Sequence, residues 1–417
     1  MKFDTAIIGG GLSGLTAGIT LAEAGRRVAI VSAGQSCLHF SSGSLDMLGY
    51  DTHGTPVTRD PLSLIPSLPE NHPYSMLGTD RAARYASLAP GLFDRAGIKM
   101  AGSHHANHWR LSPAGMLKTS WLTMEDYTMI SDPSALPWKH VAIVNLLGFL
   151  DFFPKFIAYG LERRGVKCEF HTVTTPELET LRLSTTEMRA ANIARTLHGP
   201  AIATLADVIN NAVNSDVDAV LLPATFGFED FEAAHRLVSL IRKPATFVAT
   251  MGPSVPGIRT QMMLVKHFRH LGGVYFLGDS VRRGHFDGSL LSRIETFNLG
   301  DDPIEAGSFI FAAGSFFSHG LTSNPDEILE PVFGLDVDAP SCREKWFSKD
   351  IFHPQPYMKY GIATDRSFRA LRAGRPVENL MVCGAALPGA DTLLEGSGAG
   401  VAMFSAMYAA ESIISQA

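Results

Sequence analysis

The pattern of apolar and polar residues near the amino terminus predicts a strand, a turn, a helix and a second strand. Phe3–Ile8 is a strand-like apolar run that leads into the glycines Gly9 to Gly11. Apolar residues then recur at helical spacing before Gly25, which suits a helix end: Leu12, Leu15, Ile19 and Ala22. The run Val28–Val31 follows as a buried parallel strand. Together these elements predict one βαβ unit.

The same character returns late in the chain. Helical periodicity over Gln261–Leu271 ends at two glycines, and Val274–Leu277 reads as the third parallel strand of the first sheet. Two further buried strands, Ser308–Gly314 and Asn379–Ala386, end in small residues that let a ligand approach the backbone. An apolar helix over about Val401–Ile414 closes the chain.

Between these regions lies a long segment rich in Pro, His and aromatic residues, without a repeated motif. We interpret residues 62–250 as an inserted domain. Residues 1–61 and 251–417 then form one discontinuous nucleotide-binding domain. The predicted fold class is α/β, with a Rossmann domain of the glutathione-reductase type that carries an insertion.

Composition narrows the function classes. The 417 residues are 46% hydrophobic and 18% charged, with a net charge of −6. The basic residues are scattered, which argues against a nucleic-acid surface. No apolar run is long enough to predict a membrane span.

Metal sites are not predicted. Four cysteines share no CxxC or CxxxC spacing, which argues against an iron–sulfur cluster or structural zinc: Cys37, Cys168, Cys342 and Cys383. The histidines 104, 105 and 108 have no carboxylate or cysteine at ligand spacing beside them.

The glycine-rich turn is the main candidate for a phosphate site. Gly9 permits the tight turn, Gly11 allows the backbone to approach a phosphate, and Gly14 allows the helix to pack closely on the strand. We place Ser13 at the same phosphate end. The alternative is a tightly packed strand–helix corner that binds nothing.

A flavin ring requires more of the sheet than the first βαβ unit. Small residues after the later strands would bring backbone toward it, and the last helix would direct its amino terminus at a ring that becomes anionic on reduction. The candidates on these turns are Gly314, Gly384, Ala385, Gly396 and Gly398. Ordinary close packing is the alternative for each turn taken singly.

The loop after the second strand contains hydroxyl side chains that could contact a phosphate, a ribityl chain or the ring edge. Its candidates are Ser41, Ser42, Gly43 and Ser44. Ordinary turn composition explains the loop equally well. Arg259 and His319 could each hold an anionic group, and a structural role is as good an explanation for both.

Several segments together resemble one flavoprotein family. They are FDTAIIGGGLSGL, GQSCLHFSSGSLDML, GPSVPGIR, AAGSFFSHGL, GLDV and YGIATD followed by ENLMVCGA. In this order, from Met1 to the last helix, they resemble the B subunit of bacterial anaerobic glycerol-3-phosphate dehydrogenase. HFSSGSLD and GSFFSHGL are the more specific motifs, because many flavoproteins share the first.

That resemblance implies an FMN-bearing subunit that pairs with a catalytic A subunit carrying FAD. It also implies a membrane-bound iron–sulfur C subunit that passes electrons to quinone, on the cytoplasmic face of the inner membrane. The family reaction oxidises glycerol 3-phosphate to dihydroxyacetone phosphate. A relay subunit needs no catalytic base of its own, and none is predicted here.

One departure from FAD enzymes bears on the cofactor. The second strand ends at Ser32 and Ala33, where an acidic residue usually binds the ribose of the AMP half. The turn at Gly384 and Ala385 also lacks the usual acid. Two missing acids favour FMN, with FAD as the alternative.

Two rival functions stay open at this point. One is a self-sufficient FAD-dependent oxidoreductase of a small hydroxy acid or polyol, and the other is a scaffold subunit without flavin.

Overall fold

Helices and strands alternate through most of the chain in a computed structural model, which describes residues 1–184, 187–228 and 230–416. The helices are α1 (Leu12–Glu23), α2 (Pro73–Leu77), α3 (Thr79–Arg95), α4 (Pro154–Glu162), α5 (Pro176–Arg182), α6 (Ala190–Thr196), α7 (Ala201–Ala212), α8 (Ala233–Leu240), α9 (Val255–His270), α10 (Thr392–Glu395) and α11 (Gly398–Ser415).

The strands of the first half are β1 (Lys2–Ile8), β2 (Val28–Ser32), β3 (Ser44–Leu45), β4 (Met100–Gly102), β5 (His108–Leu111), β6 (Leu117–Ser120), β7 (Leu122–Met124), β8 (His140–Leu146), β9 (Lys167–Val173) and β10 (Ala219–Pro223). Those of the second half are β11 (Ala245–Val248), β12 (Val274–Leu277), β13 (Val281–Asp287), β14 (Leu290–Thr296), β15 (Ile304–Phe311), β16 (Thr322–Ser323), β17 (Ile328–Leu329), β18 (Val337–Asp338), β19 (Gly361–Ile362), β20 (Arg369–Arg372) and β21 (Arg375–Val382).

The chain divides into two units. The first comprises residues 1–37, 46–98 and 263–417, and the second comprises residues 38–45 and 99–262. Residues 62–98, which the sequence analysis places in the insertion, lie in the first unit, and the first unit resumes at residue 263 rather than 251.

The first unit is built on a mainly parallel sheet. Its parallel strands run in the order β12, β2, β1, β15, β21, so the predicted third strand, β12 beside β2, is confirmed. Numbered along the chain, this is the order 3-2-1-4-5 of a dinucleotide-binding fold. The antiparallel hairpin of β13 and β14 pairs with the start of β15. The carboxyl ends of five parallel strands therefore meet at one edge.

Apolar residues on both faces explain why β1 and β2 are central. Ala6, Ile7, Ala29 and Ile30 are completely buried, as a strand covered on both faces requires. Helix α1 packs against α11, and both helices bury long apolar faces.

Residues 62–98 belong to the first unit because α3 packs on α11. The Tyr85 hydroxyl donates to Glu411 at 2.8 Å, and the Tyr85 ring lies 6.4 Å from that of Phe404. Phe93 is completely buried. The sequence pattern shows that α3 has an apolar face, but not which distant helix covers it.

The second unit has its own parallel sheet, in the order β11, β10, β8, β9. The whole of β10 is buried. Two small antiparallel sheets accompany it, one of β3, β7 and β4 and one of β5 and β6. The sequence analysis did not predict this parallel sheet.

Some predicted element ends shift. Helix α9 begins at Val255 instead of residue 261. Strand β15 ends at Phe311 because the chain turns at Gly314, whose φ is +80°, and β21 ends at Val382 before Gly384, whose φ is +72°. In the described parts of the chain, no helix combines the length and apolar character needed to cross a bilayer.

The packing of α1 on β1 gives a first prediction. A Cβ on Gly14 would lie 1.9 Å from the Gly9 carbonyl oxygen, which is backbone and has little room to shift. Gly14→Ala should therefore destabilise the protein by about 3 kcal/mol, as overpacking at a rigid contact does. Thermal unfolding of the purified full chain measures the change.

Gly18→Ala is the matched control on the same helix. Its Cβ would meet chiefly the ends of two side chains, with the nearest atom of Ile30 at 2.7 Å, and these can shift. Helical Gly→Ala is otherwise favourable by about 1 kcal/mol. Equal losses in the two variants would contradict the proposed backbone contact.

Candidate functional site

The glycine turn at the end of β1 is held by backbone contacts that exclude side chains. Gly9 has a φ of +113°, and a Cβ there would lie 2.2 Å from the carbonyl oxygen of Ala312, just after β15. Gly14 packs against Gly9 in the same way. These two glycines bring the ends of β1 and β15 and the first turn of α1 together.

Gly11 differs from Gly9 and Gly14, because a side chain at Gly11 would meet no backbone atom. It occupies the N-cap of α1, and a Cβ there would meet only Ser36, with the nearest atom at 3.6 Å. No side chain caps the helix, and its first turn contains no acidic residue. The free N–H groups and the positive end of the helix dipole suit a phosphate, so the turn fits the phosphate end of a flavin.

The end of β21 joins the same edge. A Cβ on Gly384 would lie 2.5 Å from Ser13 Oγ and 3.8 Å from the Cα of Ala402 in α11. The Gly384 N–H donates to Ser405 Oγ at 2.9 Å. The first turn of α1 and residues 402–405 of α11 therefore converge on Gly384, while its neighbour Ala385 is exposed.

The remaining glycines lie at turns of the same unit. Gly396 ends α10 with a φ of +57°, and its carbonyl accepts from the Gly49 N–H at 3.0 Å. Gly398 starts α11 and is exposed, with Thr392 Cβ the nearest atom to a built Cβ at 3.6 Å. Gly314 turns beside Ser318 after β15.

A buried hydrogen-bond network supports the turn before α11. The Tyr74 N–H donates to His72 Nδ1 at 3.0 Å, so His72 donates from Nε2 to Glu395 Oε2 at 3.1 Å. Ser397 Oγ donates to the same oxygen at 2.9 Å, and the Asp391 N–H donates to Oε1 at 3.0 Å. Burial raises the pKa of Glu395, but the hydrogen bonds from His72, Ser397 and the Asp391 backbone outweigh it and hold the pKa below its usual value.

The sequence analysis missed this network. Its members come from segments more than 300 residues apart, since His72 and Glu395 are separated by 323 positions. The one signal of this network in the sequence was an acidic residue, Glu395, next to the predicted turn at Gly396.

Ser32 and Ala33 end β2 in contrasting environments. Ser32 is buried and its Oγ donates to the Gly34 carbonyl at 3.4 Å, whereas Ala33 is exposed. The Tyr275 hydroxyl donates to the Gly10 carbonyl at 3.1 Å, so this side of the glycine turn is occupied by β12.

An acid does lie beside Ser32, supplied by the neighbouring strand. The Asp279 N–H donates to the Ser32 carbonyl at 3.1 Å. Asp279 Oδ1 accepts from the backbone of Ser280 and Asn298, and Oδ2 is buried without a partner among the described residues. The signal available in the sequence was an aspartate just after the predicted strand at 274–277.

The serine loop belongs to the second unit. Ser254 Oγ donates to the Ser41 carbonyl, and Gly43, with a φ of +80°, packs beside Tyr127. Ser42 is half-buried. Ser44 is fixed in a short polar chain, because Thr123 Oγ1 donates to Ser44 Oγ at 2.9 Å.

His108 extends that chain. Its Nε2 lies 2.7 Å from Thr123 Oγ1, and burial lowers the pKa of His108 to about 4, so the ring is neutral at neutral pH. His104 and His105 stack on each other at 4.0 Å. Within the described ranges, no group of three His, Cys, Asp or Glu side chains is placed to hold a metal ion.

The predicted site residues thus fall into two sets. Direct contacts join Gly9 to Gly14 and Ser13 to Gly384. The first unit contains these residues together with Gly11, Ser32, Ala33, Gly314, Ala385, Gly396 and Gly398, and the second contains Ser41, Ser42, Gly43 and Ser44.

Comparison with known proteins identifies the family. Residues 4–401 match the FAD binding domain family. A Yersinia enterocolitica protein, named as the B subunit of anaerobic glycerol-3-phosphate dehydrogenase, is 41% identical over 420 residues, covering 100% of this chain and 99% of that one. A Pectobacterium atrosepticum protein of the same name is 38% identical, with the same coverage.

The chain belongs to this family of B subunits. The predicted flavoprotein fold and the resemblance stated from the sequence motifs are therefore confirmed, and the cofactor of the protein is a flavin. Membership also makes the protein a component of an oxidoreductase complex.

Solved structures resemble this flavoprotein only loosely. The 3-ketosteroid Δ1-dehydrogenase from Sterolibacterium denitrificans is 11% identical, covers 100% of both chains and gives a TM-score of 0.46. Sdh1 from Mycobacterium smegmatis is 10% identical and gives a TM-score of 0.44. The similarity covers 100% of this chain and 69% of the Sdh1 chain. Neither similarity bears on the chemistry of the site.

The Glu395 network gives a second prediction. Glu395→Gln removes the charge that three donors share, and should lower the unfolding free energy by about 2 kcal/mol at pH 7. Because the folded-state pKa of Glu395 is depressed, its contribution is complete above the usual Glu range and is lost as the pH falls through the folded value. The difference in Tm between wild type and variant should shrink below about pH 4.

Glu305→Gln on β15 is the control for this measurement. Glu305 pairs with Lys2 at the surface, with 46% of its side chain exposed, and such pairs contribute little. A Glu395→Gln variant that unfolds like the control at pH 7 would show that the network does not stabilise the turn.

Proposed function

We propose that this chain is the flavin-bearing relay subunit of an anaerobic glycerol-3-phosphate dehydrogenase. A catalytic A subunit oxidises glycerol 3-phosphate to dihydroxyacetone phosphate, and this chain passes the electrons toward quinone through a membrane-bound iron–sulfur C subunit. The observation that carries the proposal is the glycine cradle at Gly9–Gly14 in a chain that matches its B-subunit relatives over its full length.

The first unit would hold the flavin at the carboxyl edge of its sheet. The N–H groups around Gly11 bind the phosphate end, and Gly9 and Gly14 keep that turn tight. The amino terminus of α11 points partial positive charge at an anionic group. The other residues proposed to line the cofactor are Ser13, Ser32, Ala33, Ser41, Ser42, Gly43, Ser44, Gly314, Gly384, Ala385, Gly396 and Gly398. When bound, the flavin accepts and returns electrons reversibly.

The identity of the flavin is a separate proposal. The neutral Ser32 and the missing acid at Gly384 favour FMN, which has no adenosine to hold. Asp279 favours FAD as the second candidate, because its unpartnered oxygen belongs to a residue whose N–H contacts the Ser32 carbonyl. An acid supplied by β12 instead of β2 could accept a ribose hydroxyl.

Transfer through partners is supported by the chemistry that the chain itself offers. Its four cysteines have no cluster spacing, so electrons would leave through a partner's cluster. Placement at the cytoplasmic face of the inner membrane would follow from binding the C subunit.

An exposed aromatic face on α4 supports docking of the A subunit. Phe156 and Tyr159 are 58% and 62% exposed, and they lie three positions apart on the helix. The Phe153 ring lies 5.7 Å from that of Phe156. Grouped apolar side chains at a protein surface mark interaction sites.

A third prediction tests the phosphate cradle. Gly11→Val has room to fold, because the built Cβ has no neighbour closer than 3.6 Å, but its side chain would occupy the approach to the N–H groups. We expect the flavin content of the purified variant to fall by at least about tenfold with little change in Tm of the flavin-free protein. Flavin absorbance in the visible range measures the content.

Gly307→Val is its control, since Gly307 lies in β15 away from the cradle, its φ is outside the left-handed region, and the nearest atom to a built Cβ is again at 3.6 Å. Full flavin content in Gly11→Val would reject the cradle as the phosphate site.

A fourth prediction tests the relay. Glycerol 3-phosphate should bleach the flavin of the purified chain only when the A subunit is present, since this chain supplies no catalytic base in our proposal. Bleaching by the chain alone would support the self-sufficient oxidoreductase instead. A folded, colourless preparation that FMN and FAD both fail to reconstitute would support the scaffold.

The same measurement separates the docking face from the flavin site. Phe156→Ser should slow bleaching through the A subunit while leaving the flavin content unchanged. Heat release and chromatography of the flavin from wild type then distinguish FMN from FAD.

A further inference from the structure

The carboxyl edge of the second unit's parallel sheet has the form of a ligand site. Along the chain, the strands β8, β9, β10 and β11 take the spatial order 2-1-3-4. The chain therefore places β9 on one side of β8 and the later strands on the other. In parallel α/β sheets, ligands bind outside the carboxyl ends of the strands near such a reversal.

Two neighbouring strands end there in matching peptides. After β10 the sequence is Ala-Thr-Phe-Gly at 224–227, and after β11 it is Ala-Thr-Met-Gly at 249–252. Pro223 pairs with Val248, so Thr225 and Thr250 each lie two residues beyond a paired position. The two threonines thus occupy equivalent places on adjacent strands.

Both threonine hydroxyls are buried without a partner. Thr225 is 0% exposed and Thr250 is 4% exposed, and neither Oγ1 has a hydrogen-bond partner within the described residues. A buried hydroxyl without a hydrogen-bond partner destabilises the folded protein. Two of them at equivalent positions beyond adjacent strand ends are explained if a ligand supplies the missing partner.

A guanidinium approaches the same edge. Arg259 lies on α9, which follows β11, and a Cβ built on Gly227 would lie 2.6 Å from Arg259 Nη1. Arg259 therefore packs against Gly227, two positions after Thr225. The sequence analysis named Arg259 as a candidate for holding an anion.

The donors of Arg259 are largely unused. Nη2 donates to Met124 Sδ at 3.1 Å, and a thioether is a weak acceptor. Nε is buried and has no partner among residues 1–184, 187–228 and 230–416, and no ion pair of Arg259 lies within this part of the chain. A half-buried guanidinium with one weak hydrogen bond requires an acceptor from elsewhere.

The nearby acidic group belongs to a different pair. Asp126 Oδ1 lies 3.2 Å from His235 Nδ1. Burial raises the pKa of Asp126, and the charges of His235 and Arg259 oppose that rise. The charge of Arg259 thus affects the pKa of Asp126 from a distance, whereas the direct partner of Asp126 is His235.

We propose that Arg259, Thr225 and Thr250 form an oxyanion site that binds the phosphate group of a small phosphorylated ligand. A guanidinium and two hydroxyls together offer more hydrogen-bond donors than the two oxygens of a carboxylate can accept in good geometry. They suit the larger number of oxygens on a phosphate. Gly227 and Gly252 each follow one of the two threonines by two positions, and Arg259 and Phe40 pack against them. The site does not depend on the electron-relay role.

A fifth prediction tests the site by calorimetric titration of the flavin-loaded full chain with inorganic phosphate and with glycerol 3-phosphate. Arg259→Gln keeps much of the length of the side chain but loses the charge. It should weaken phosphate binding by about tenfold to a hundredfold, the range for hydrogen bonds to a charged group. Arg242→Gln, at an exposed arginine of the same unit, should bind like wild type.

The threonines allow a test that separates binding from folding. Thr225→Val and Thr250→Val keep the shape and remove the hydroxyl. Each should raise the Tm of the phosphate-free protein, because an unsatisfied group is lost, and each should reduce the Tm increase that phosphate causes. A raised Tm with an undiminished phosphate effect would overturn the role of the threonines.

Two results would overturn the site itself: no saturable binding of phosphate to wild type, or equal affinity of wild type and Arg259→Gln. Tighter binding of glycerol 3-phosphate than of inorganic phosphate would support a phosphate-ester ligand, with glycerol as the control that lacks the anion. Loss of flavin from Arg259→Gln would overturn the inference of a separate ligand, because the guanidinium would then hold the cofactor. Flavin retained in a chain that binds no phosphate would overturn this inference while leaving the proposed relay function standing.

Discussion

The backbone contact at the end of β1 is the constraint on which the first unit depends. The Gly9 carbonyl lies where a side chain on Gly14 would have to be, and Gly9 itself lies against the carbonyl of Ala312. Two strand ends and a helix amino terminus can share one small volume only when neither glycine position carries a Cβ. Beside this contact Gly11 stays open and no side chain caps α1, so a turn packed this tightly also suits a phosphate.

Asp279 shows how a neighbouring strand can place an acid beside a strand end that lacks one. Ser32 ends β2 without a carboxylate, yet β12 runs parallel to β2 and both strands end at the same edge. Asp279 therefore reaches the Ser32 backbone from the adjacent strand. The two missing acids, at Ser32 and at Gly384 and Ala385, made FMN the expectation from the sequence, and Asp279 keeps FAD as a defined alternative.

The candidate sites of the two units are built from different chemical groups. The one in the first unit consists of glycines and helix termini, whose backbone dipoles tolerate many ligands of similar shape. The second presents side chains whose hydrogen-bonding groups are unused, two buried hydroxyls and a guanidinium bound only to a thioether. Backbone cradles require little desolvation of charged groups, whereas a half-buried arginine is stable only if an anion or water satisfies it.

The sequence by itself determined the elements whose signal is local. Strand–glycine–helix periodicity at 3–22, the strand at 274–277 and the family motifs each depend on residues close together in the chain, so the Rossmann unit and the flavoprotein family could be predicted. The insertion was harder, because β8 to β11 are short buried runs separated by irregular segments, and periodicity alone does not distinguish such runs from buried helix. Only the tertiary structure decided that α3 covers α11, that Asp279 lies beside Ser32, that His72 supports Glu395 and that Thr225 and Thr250 are neighbours. Each of these contacts joins distant parts of the chain through sheet register or helix packing, and no local pattern encodes which distant partner satisfies a buried group.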